Sequence, residues 1–196
     1  MLSAIKHNLK NLTNFEGRDR RSTFWWYVLF LVILNFVIGL AVSIPLYTAM
    51  LGAAFETVQA GGDPEAVNAA MSASLGDQMR FITYAGGALT FILIGLFSAS
   101  FVRRLHDSGK SGWWLALALA PVIYTTVMSS LNVDAVVEMA RSAMNQSDPD
   151  KAFGDQTRLY FSSIVGWAGY LVTIIFGVLE SDDGPNRFGE EPEVLT

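Results

Sequence analysis

Phe24-Trp25-Trp26-Tyr27-Val28-Leu29-Phe30-Leu31-Val32-Ile33-Leu34-Asn35-Phe36-Val37-Ile38-Gly39-Leu40, and on through Pro45 to Leu51, is 28 residues without an Asp, Glu, Lys, Arg or His. A helix needs about 20 predominantly apolar residues to cross about 30 Å of hydrocarbon. A buried helix of a soluble protein keeps a polar stripe on its outer face. This run has none on any face, so it reads as a membrane-spanning helix. Three more runs follow, Phe81 to Val102, Trp113 to Leu131 and Leu159 to Leu179, again without Asp, Glu, Lys, Arg or His. Spanning barrel strands are only about 9–11 residues long and alternate apolar with polar, which these runs do not. The first run overshoots the bilayer and is expected to tilt, or to emerge past Pro45. It also exceeds the 7–15 apolar residues of a cleavable signal, and motif-rich sequence precedes it.

The rest of the composition agrees. The chain of 196 residues is 52% hydrophobic and only 16% charged, against about 25% charged in an average soluble domain. Cysteine is absent, which excludes disulfides and thiolate metal sites. Two histidines, His7 and His106, are too few for a histidine-built metal centre, and the net charge of -5 argues against nucleic acid as a partner. No cofactor is expected. The predicted fold class is all-α, an integral membrane four-helix bundle. Residues 1-23 form an N-terminal cytoplasmic segment, residues 24-179 the membrane domain (helices about 24-51, 81-102, 113-131 and 159-179), and residues 180-196 a cytoplasmic tail.

Loop charges set the expected orientation. Lys6, Lys10, Arg18, Arg20 and Arg21 precede the first run, Arg103, Arg104 and Lys110 lie between the second and third, and Arg187 is in the tail. With both termini inside, nine of the thirteen basic residues are cytoplasmic, as the positive-inside rule requires. Trp25, Trp26, Trp113 and Trp114 then become interface anchors at the headgroup level. The two long connections, 52–80 and 132–158, face outward. They are expected to be partly helical, because Pro64 to Met79 and Val133 to Met144 are Ala- and Met-rich. In the second, Val133, Val136, Val137, Ala140 and Met144 fall at helical spacing.

The two halves echo each other. Arg21-Ser22 before Trp25-Trp26 matches Lys110-Ser111 before Trp113-Trp114. Each outer connection carries an Asp-Pro (Asp63-Pro64, Asp148-Pro149) and ends in Gly-Asp-Gln-x-Arg (Gly76 to Arg80, Gly154 to Arg158). A parallel internal duplication and convergence of two hairpins on the same interfacial anchors both account for this.

Three polar segments interrupt the apolar background. They are Phe15-Glu16-Gly17-Arg18-Asp19-Arg20-Arg21-Ser22-Thr23-Phe24-Trp25-Trp26, Val102-Arg103-Arg104-Leu105-His106-Asp107-Ser108-Gly109-Lys110-Ser111-Gly112-Trp113-Trp114, and Gly184-Pro185-Asn186-Arg187-Phe188-Gly189-Glu190-Glu191-Pro192. Together, in this order and in this helical setting, they resemble the bacterial inner-membrane family Domain of Unknown Function 805. Its members read F-x-G-R-x-x-R-x-x-F-W, then R-R-L-H-D-x-G-x-S-G-W-W, then G-x-N-x-F/Y-G. The resemblance covers nearly the whole chain and implies the inner membrane, but no activity. The two long outer connections depart from the many members with short ones.

The chemistry open to these segments is limited. Arg18, Arg20, Arg21, Arg103, Arg104 and Lys110 would make a basic surface at the inner leaflet, where each charge gains about 1 kcal/mol from anionic headgroups. Alternatively, Asp19, Asp107 and Asn186 pair with the arginines of neighbouring segments and lock the helix ends together. Gly109 and Gly112 suit the tight turn between the second and third helices, and Ser111 is a candidate cap for the third. His106 beside Asp107 could serve acid–base chemistry or metal binding. No nucleophile, second histidine or carboxylate cluster accompanies it, so neither catalytic nor metal residues are assigned. The candidate site, lipid-headgroup or structural, is Arg18, Arg20, Arg21, Arg103, Arg104, His106, Asp107, Asn186 and Arg187. The expected function is a non-enzymatic scaffold, regulator or lipid-headgroup-binding module. A small oligomeric transporter or channel is the first alternative, and an interfacial enzyme using His106 and Asp107 the second. The expected partners are the bilayer, its anionic lipids, and a second copy or another membrane protein.

Overall fold

The computed structural model describes residues 1–145 and 149–192, with the side chains of residues 143–163 left aside. Asp148 of the repeat therefore lies outside the described residues, and so do the side chains of the stretch Gly154 to Arg158 and of Met144 in the outer apolar set. Among the described residues the fold is all-helical: α1 Leu2–Lys10, α2 Arg21–Gln59, α3 Pro64–Ala73, α4 Leu75–Asp107, α5 Trp114–Leu131, α6 Val133–Asn145 and α7 Pro149–Val178.

Helices outrun the apolar runs, because the lipid-matched composition stops before the helix-forming residues do. α2 continues through Pro45 to Gln59, and α4 begins at Leu75 and ends at Asp107. Arg103, Arg104, His106 and Asp107 are therefore on the last turns of a helix, not in the 103–112 loop the sequence suggests. Nothing in Arg103 to Asp107 breaks a helix. The stop comes at Gly109, whose φ of +67° is left-handed and open to glycine at no steric cost. Gly112 is not at positive φ. It is small because a Cβ there would lie 3.1 Å from Val102 Cγ1. Trp114 N–H donates to the backbone carbonyl of Ser111 (3.3 Å), so Ser111 opens α5 through its main chain.

α2, α4 and α5 are long and apolar enough to cross a membrane. Their most apolar windows are only 11%, 22% and 6% buried within the chain. Soluble monomers rarely expose contiguous apolar patches beyond a few hundred Å², so these faces need lipid. The fourth predicted helix falls within α7, Pro149–Val178, of which Ile164–Val178 is the apolar stretch with described side chains. Three candidate spans are thus established among the described residues, and a four-helix bundle is not.

The chain divides into two compact units. The first comprises Met1–Phe36, Leu89–Tyr124 and Val165–Thr196. Its core is Phe24, Phe101, Leu105 and Ala118, joined by Trp25, Val28, Phe97, Leu115, Val172 and Phe176, so α2, α4, α5 and α7 all contribute to it. Phe24 lies edge-on to Trp25 (5.4 Å between centroids) and tilted against Phe101 (5.9 Å), spacings at which aromatic pairs attract. Tyr27, fully buried, donates its hydroxyl to the Leu96 carbonyl (3.1 Å).

The second unit comprises Val37–Ala88 and Thr125–Ile164. Here α3 packs against α6, with Val133 and Val137 buried. Asp63 caps α3 by accepting from Ala66 N–H (2.8 Å), with Pro64 opening the first turn. Arg80 donates to Asp134 (2.7 Å) and Asp77 (3.2 Å). Asp134 holds the Arg80 guanidinium protonated more firmly than usual, though exposed pairs of this kind add little stability.

Candidate functional site

Most of the charged residues of the three polar segments meet in the first unit, around two neighbouring arginines and one aspartate. Helix ends leave their last carbonyls without intrahelical donors, and the helix dipole makes that end negative. Arg104 meets this need at α7, while Arg103 serves the turn that follows α1. Arg103 Nη1 donates to the carbonyls of Asn11 (2.9 Å) and Asn14 (2.5 Å), just past the end of that helix. Its Nη2 donates to Asn8 Oδ1 (2.6 Å) and its Nε to Asp19 Oδ2 (3.0 Å). Asn8 is oriented for this because its own amide donates back to the Ala4 carbonyl (3.0 Å). Asp19 N–H also donates to the Arg103 carbonyl (3.1 Å), and His7 Nε2 lies 3.0 Å from Asp19 Oδ1.

Arg104 acts at the end of α7. Its Nε donates to the Gly177 carbonyl (3.2 Å) and its Nη2 to that of Leu179, at and just beyond the end of α7. Its Nη1 donates to Asp107 Oδ2 (2.6 Å), one helical turn on. Burial depresses the Arg104 pKa, with Asp107 acting against that. Trp25 reaches the same Gly177 carbonyl through Nε1 (3.1 Å).

Asp107 is fully buried and joins the three segments. It accepts from Arg104, from Arg18 Nε (3.1 Å) and from Ser181 Oγ (2.5 Å). Arg18 carries the link onward to the tail, donating to the carbonyls of Asp182 (2.6 Å) and Gly184 (2.6 Å). The tail closes with Asn186, whose Nδ2 donates to the His106 carbonyl (2.9 Å). The Phe188 ring stacks on His106 at 3.9 Å and 4°. Arg187 lies over the same Phe188 ring (4.5 Å) and donates to the Gly109 carbonyl (3.3 Å). His106 Nδ1 sits 3.3 Å from the Gly17 carbonyl, and burial lowers the His106 pKa against that contact.

Of the predicted site residues, Arg18, Arg103, Arg104, His106, Asp107, Asn186 and Arg187 therefore converge. Arg18, Arg103 and Arg104 are buried, not part of a basic surface. Desolvated guanidinium groups need acceptors on every side, and helix-end carbonyls supply them. Arg20 stands apart, paired with Glu191 at the surface (2.9 Å), and Arg21 is exposed. Both line a cleft of about 540 Å³ with Glu180, Asp183 and Glu191, a lining whose carboxylates offset the two cations. Among the tryptophans, Trp25 is tied into the core, Trp26 and Trp114 are partly exposed, and Trp113 is 85% exposed. Asn8, Asn11, Asn14, His7 and Ser181 were not foreseen. The spacing of Leu2, Ile5 and Leu9 is the one signal that would have marked α1 as a helix.

An all-helical chain with lipid-demanding helices and a buried arginine–aspartate cluster joining its polar segments defines a class, a membrane protein with a folded polar cap. The particular family follows from comparison. Residues 12–190 match the model described as "Protein of unknown function (DUF805)", and the chain belongs to that family. It is 32% identical over 186 residues to the inner membrane protein YhaH of Escherichia coli (strain K12), covering 95% of this chain and 93% of that protein. To the inner membrane protein YhaI of the same strain it is 20% identical over 185 residues, covering 94% and 91%. No solved structure matches the chain.

Proposed function

We propose that this chain is a multi-pass inner-membrane protein with four crossing helices and both termini in the cytoplasm. In this reading it acts as a non-enzymatic membrane scaffold whose inner face is held in one arrangement by the Arg18–Arg104–Asp107 cluster. The observation that carries the reading is the consumption of the motif side chains by each other. Asp107 is filled by Arg18, Arg104 and Ser181, and Arg103 by Asn8, Asn11, Asn14 and Asp19. The carboxylate of Asp107 and the guanidinium groups of Arg18, Arg103 and Arg104 are thus each taken up by partners within the chain. The loop charges support the orientation, and the contribution of α7 to the same core as α2, α4 and α5 supports a fourth crossing. A pore is disfavoured because the apolar runs hold no ionisable residue of the kind that lines ion pathways.

Thermal unfolding in detergent tests the scaffold. Removing one partner of a buried ion pair costs about 3–5 kcal/mol, so Asp107→Ala should melt far below wild type. Asn186→Ala loses a hydrogen bond that holds the tail, and should cost about 1–3 kcal/mol. Wild-type melting of both variants would show that the cluster is not what holds the inner face.

A further inference from the structure

With the buried arginines withdrawn from the surface, lipid contact at the inner leaflet falls to a different element. We infer that α1 is an interfacial helix that lies on the anionic inner leaflet, its apolar face in the acyl boundary and its lysines among the headgroups. This rests on the membrane reading above but not on the number of crossings. Along Leu2–Lys10 the small or polar residues Ala4 and Asn8 face the protein and are buried. Leu2 and Leu9 are 77% and 43% exposed, with Met1 at 58% beside them. At 100° per residue Leu2, Ile5 and Leu9 share one stripe, and Lys6 and Lys10 flank it on one side. An apolar stripe bordered by lysine is the composition of helices that lie in the membrane interface.

Two observations specify lipid as the occupant. The anchor is Arg103, which binds Asn8, Asn11 and Asn14 and directly follows the last residue of the apolar run ending at Val102. Where α4 leaves the hydrocarbon, α1 is therefore fastened, at headgroup depth. The flanking charge is the second. Lys6 and Lys10 are exposed, complementary to an anionic leaflet.

The absence of cysteine makes the test direct. Single cysteines at Leu9, Glu16 and Val32 are labelled with an environment-sensitive fluorophore in the full-length protein. The protein is then placed in nanodiscs of phosphatidylglycerol with phosphatidylcholine, or of phosphatidylcholine alone. Val32 is an exposed position of the first apolar run and reports the membrane reading itself. The expected result is quenching of the Leu9→Cys label by shallow spin-labelled lipid and of the Val32→Cys label by deep spin-labelled lipid. The Glu16→Cys label should respond only to aqueous iodide. Lys6→Gln and Lys10→Gln should each reduce the docked-to-undocked ratio of α1 roughly fivefold in phosphatidylglycerol, and scarcely in phosphatidylcholine. A Leu9 label as open to iodide as that at Glu16, with Val32 still lipid-quenched, overturns the inference and leaves the membrane reading standing. So does a Leu9 label shielded from both quenchers, which would mean a protein partner. Equal docking in the two lipids overturns the role of the lysines, and loss of lipid quenching at Val32 takes both readings down.

Discussion

Arg103 and Arg104 are neighbours in sequence, yet they tie together different parts of the chain. Successive residues of a helix point about 100° apart, which turns Arg103 toward α1 and Arg104 toward the end of α7. A lysine, with three donors at one point, could not serve four separate acceptors as the planar Arg103 fork does. The residue types of this cluster were legible in the sequence, and so was the pairing of Asp19 with Arg103 and of Asp107 with Arg18; Asn186 meets the His106 carbonyl and Asp182 instead of an arginine. Their burial was not, since charge and motif say nothing of depth until the helix ends that supply the carbonyls are in place. His106 adds a pH dependence. Its pKa is lowered from 6.5, first by burial and also by Arg187, with the Gly17 carbonyl opposing. Above that value both folded and unfolded chains hold it neutral. As pH falls below 6.5 the unfolded chain takes up the proton first, so stability is lost on acidification and fully present at higher pH. Melting temperature in detergent should therefore fall between pH 7.5 and 5.5 by more in wild type than in His106→Gln. Parallel slopes would assign the acid sensitivity elsewhere.

At the scale of elements, the apolar runs show where lipid lies but not which face of each helix meets protein. Where every face is apolar there is no stripe to read, and association between membrane helices rests on close packing more than on the hydrophobic effect. Small residues decide it here. A Cβ on Gly177 of α7 would fall 2.7 Å from Trp25 Cζ2 and 2.9 Å from Phe24 Cε1, both on α2. About two turns earlier, a Cβ on Gly169 would overlap the backbone carbonyl of Ala118 on α5, which cannot swing away as a side chain can. One face of α7 is thus cut to fit two neighbours. Gly177→Ala should cost about 1–3 kcal/mol through overpacking, and Gly169→Ala should be the worse of the two. Gly39→Ala, on α2 where nothing lies within 4 Å of the added methyl, should be neutral or stabilising by up to about 1 kcal/mol. Thermal melting of the three variants checks the order, and a Gly169→Ala as stable as Gly39→Ala would remove the close approach of α7 to α5. α1 was missed for the opposite reason, being too short and too polar for a composition-based reading to separate from the motif that follows it.

For the whole molecule, the loop charges carry an expectation that the helices do not, namely which segments lie on which side. Run lengths predict four crossings, but α7 holds only a short described apolar stretch, Ile164–Val178. Helix geometry alone therefore leaves three crossings and four both open. The two differ in one consequence. Three crossings by α2, α4 and α5 put the chain after Leu131 and the tail on the same side. A fourth crossing by α7 separates them, and the basic residues favour it, because it brings Arg187 to the side of Arg103, Arg104 and Lys110. The proposed fourth crossing would also leave Arg18, Asp107 and the carbonyls of Asp182 and Gly184, which pair with one another, on one aqueous face. Single cysteines at the exposed positions Asn68, Glu138 and Glu190, in a chain that has none of its own, decide between the two. On intact spheroplasts a membrane-impermeant maleimide should label Asn68→Cys and Glu138→Cys, and reach Glu190→Cys only after lysis. Labelling of Glu190→Cys from outside would refute the fourth crossing and, because Arg18 and the tail could then no longer meet across the bilayer, the cluster with it.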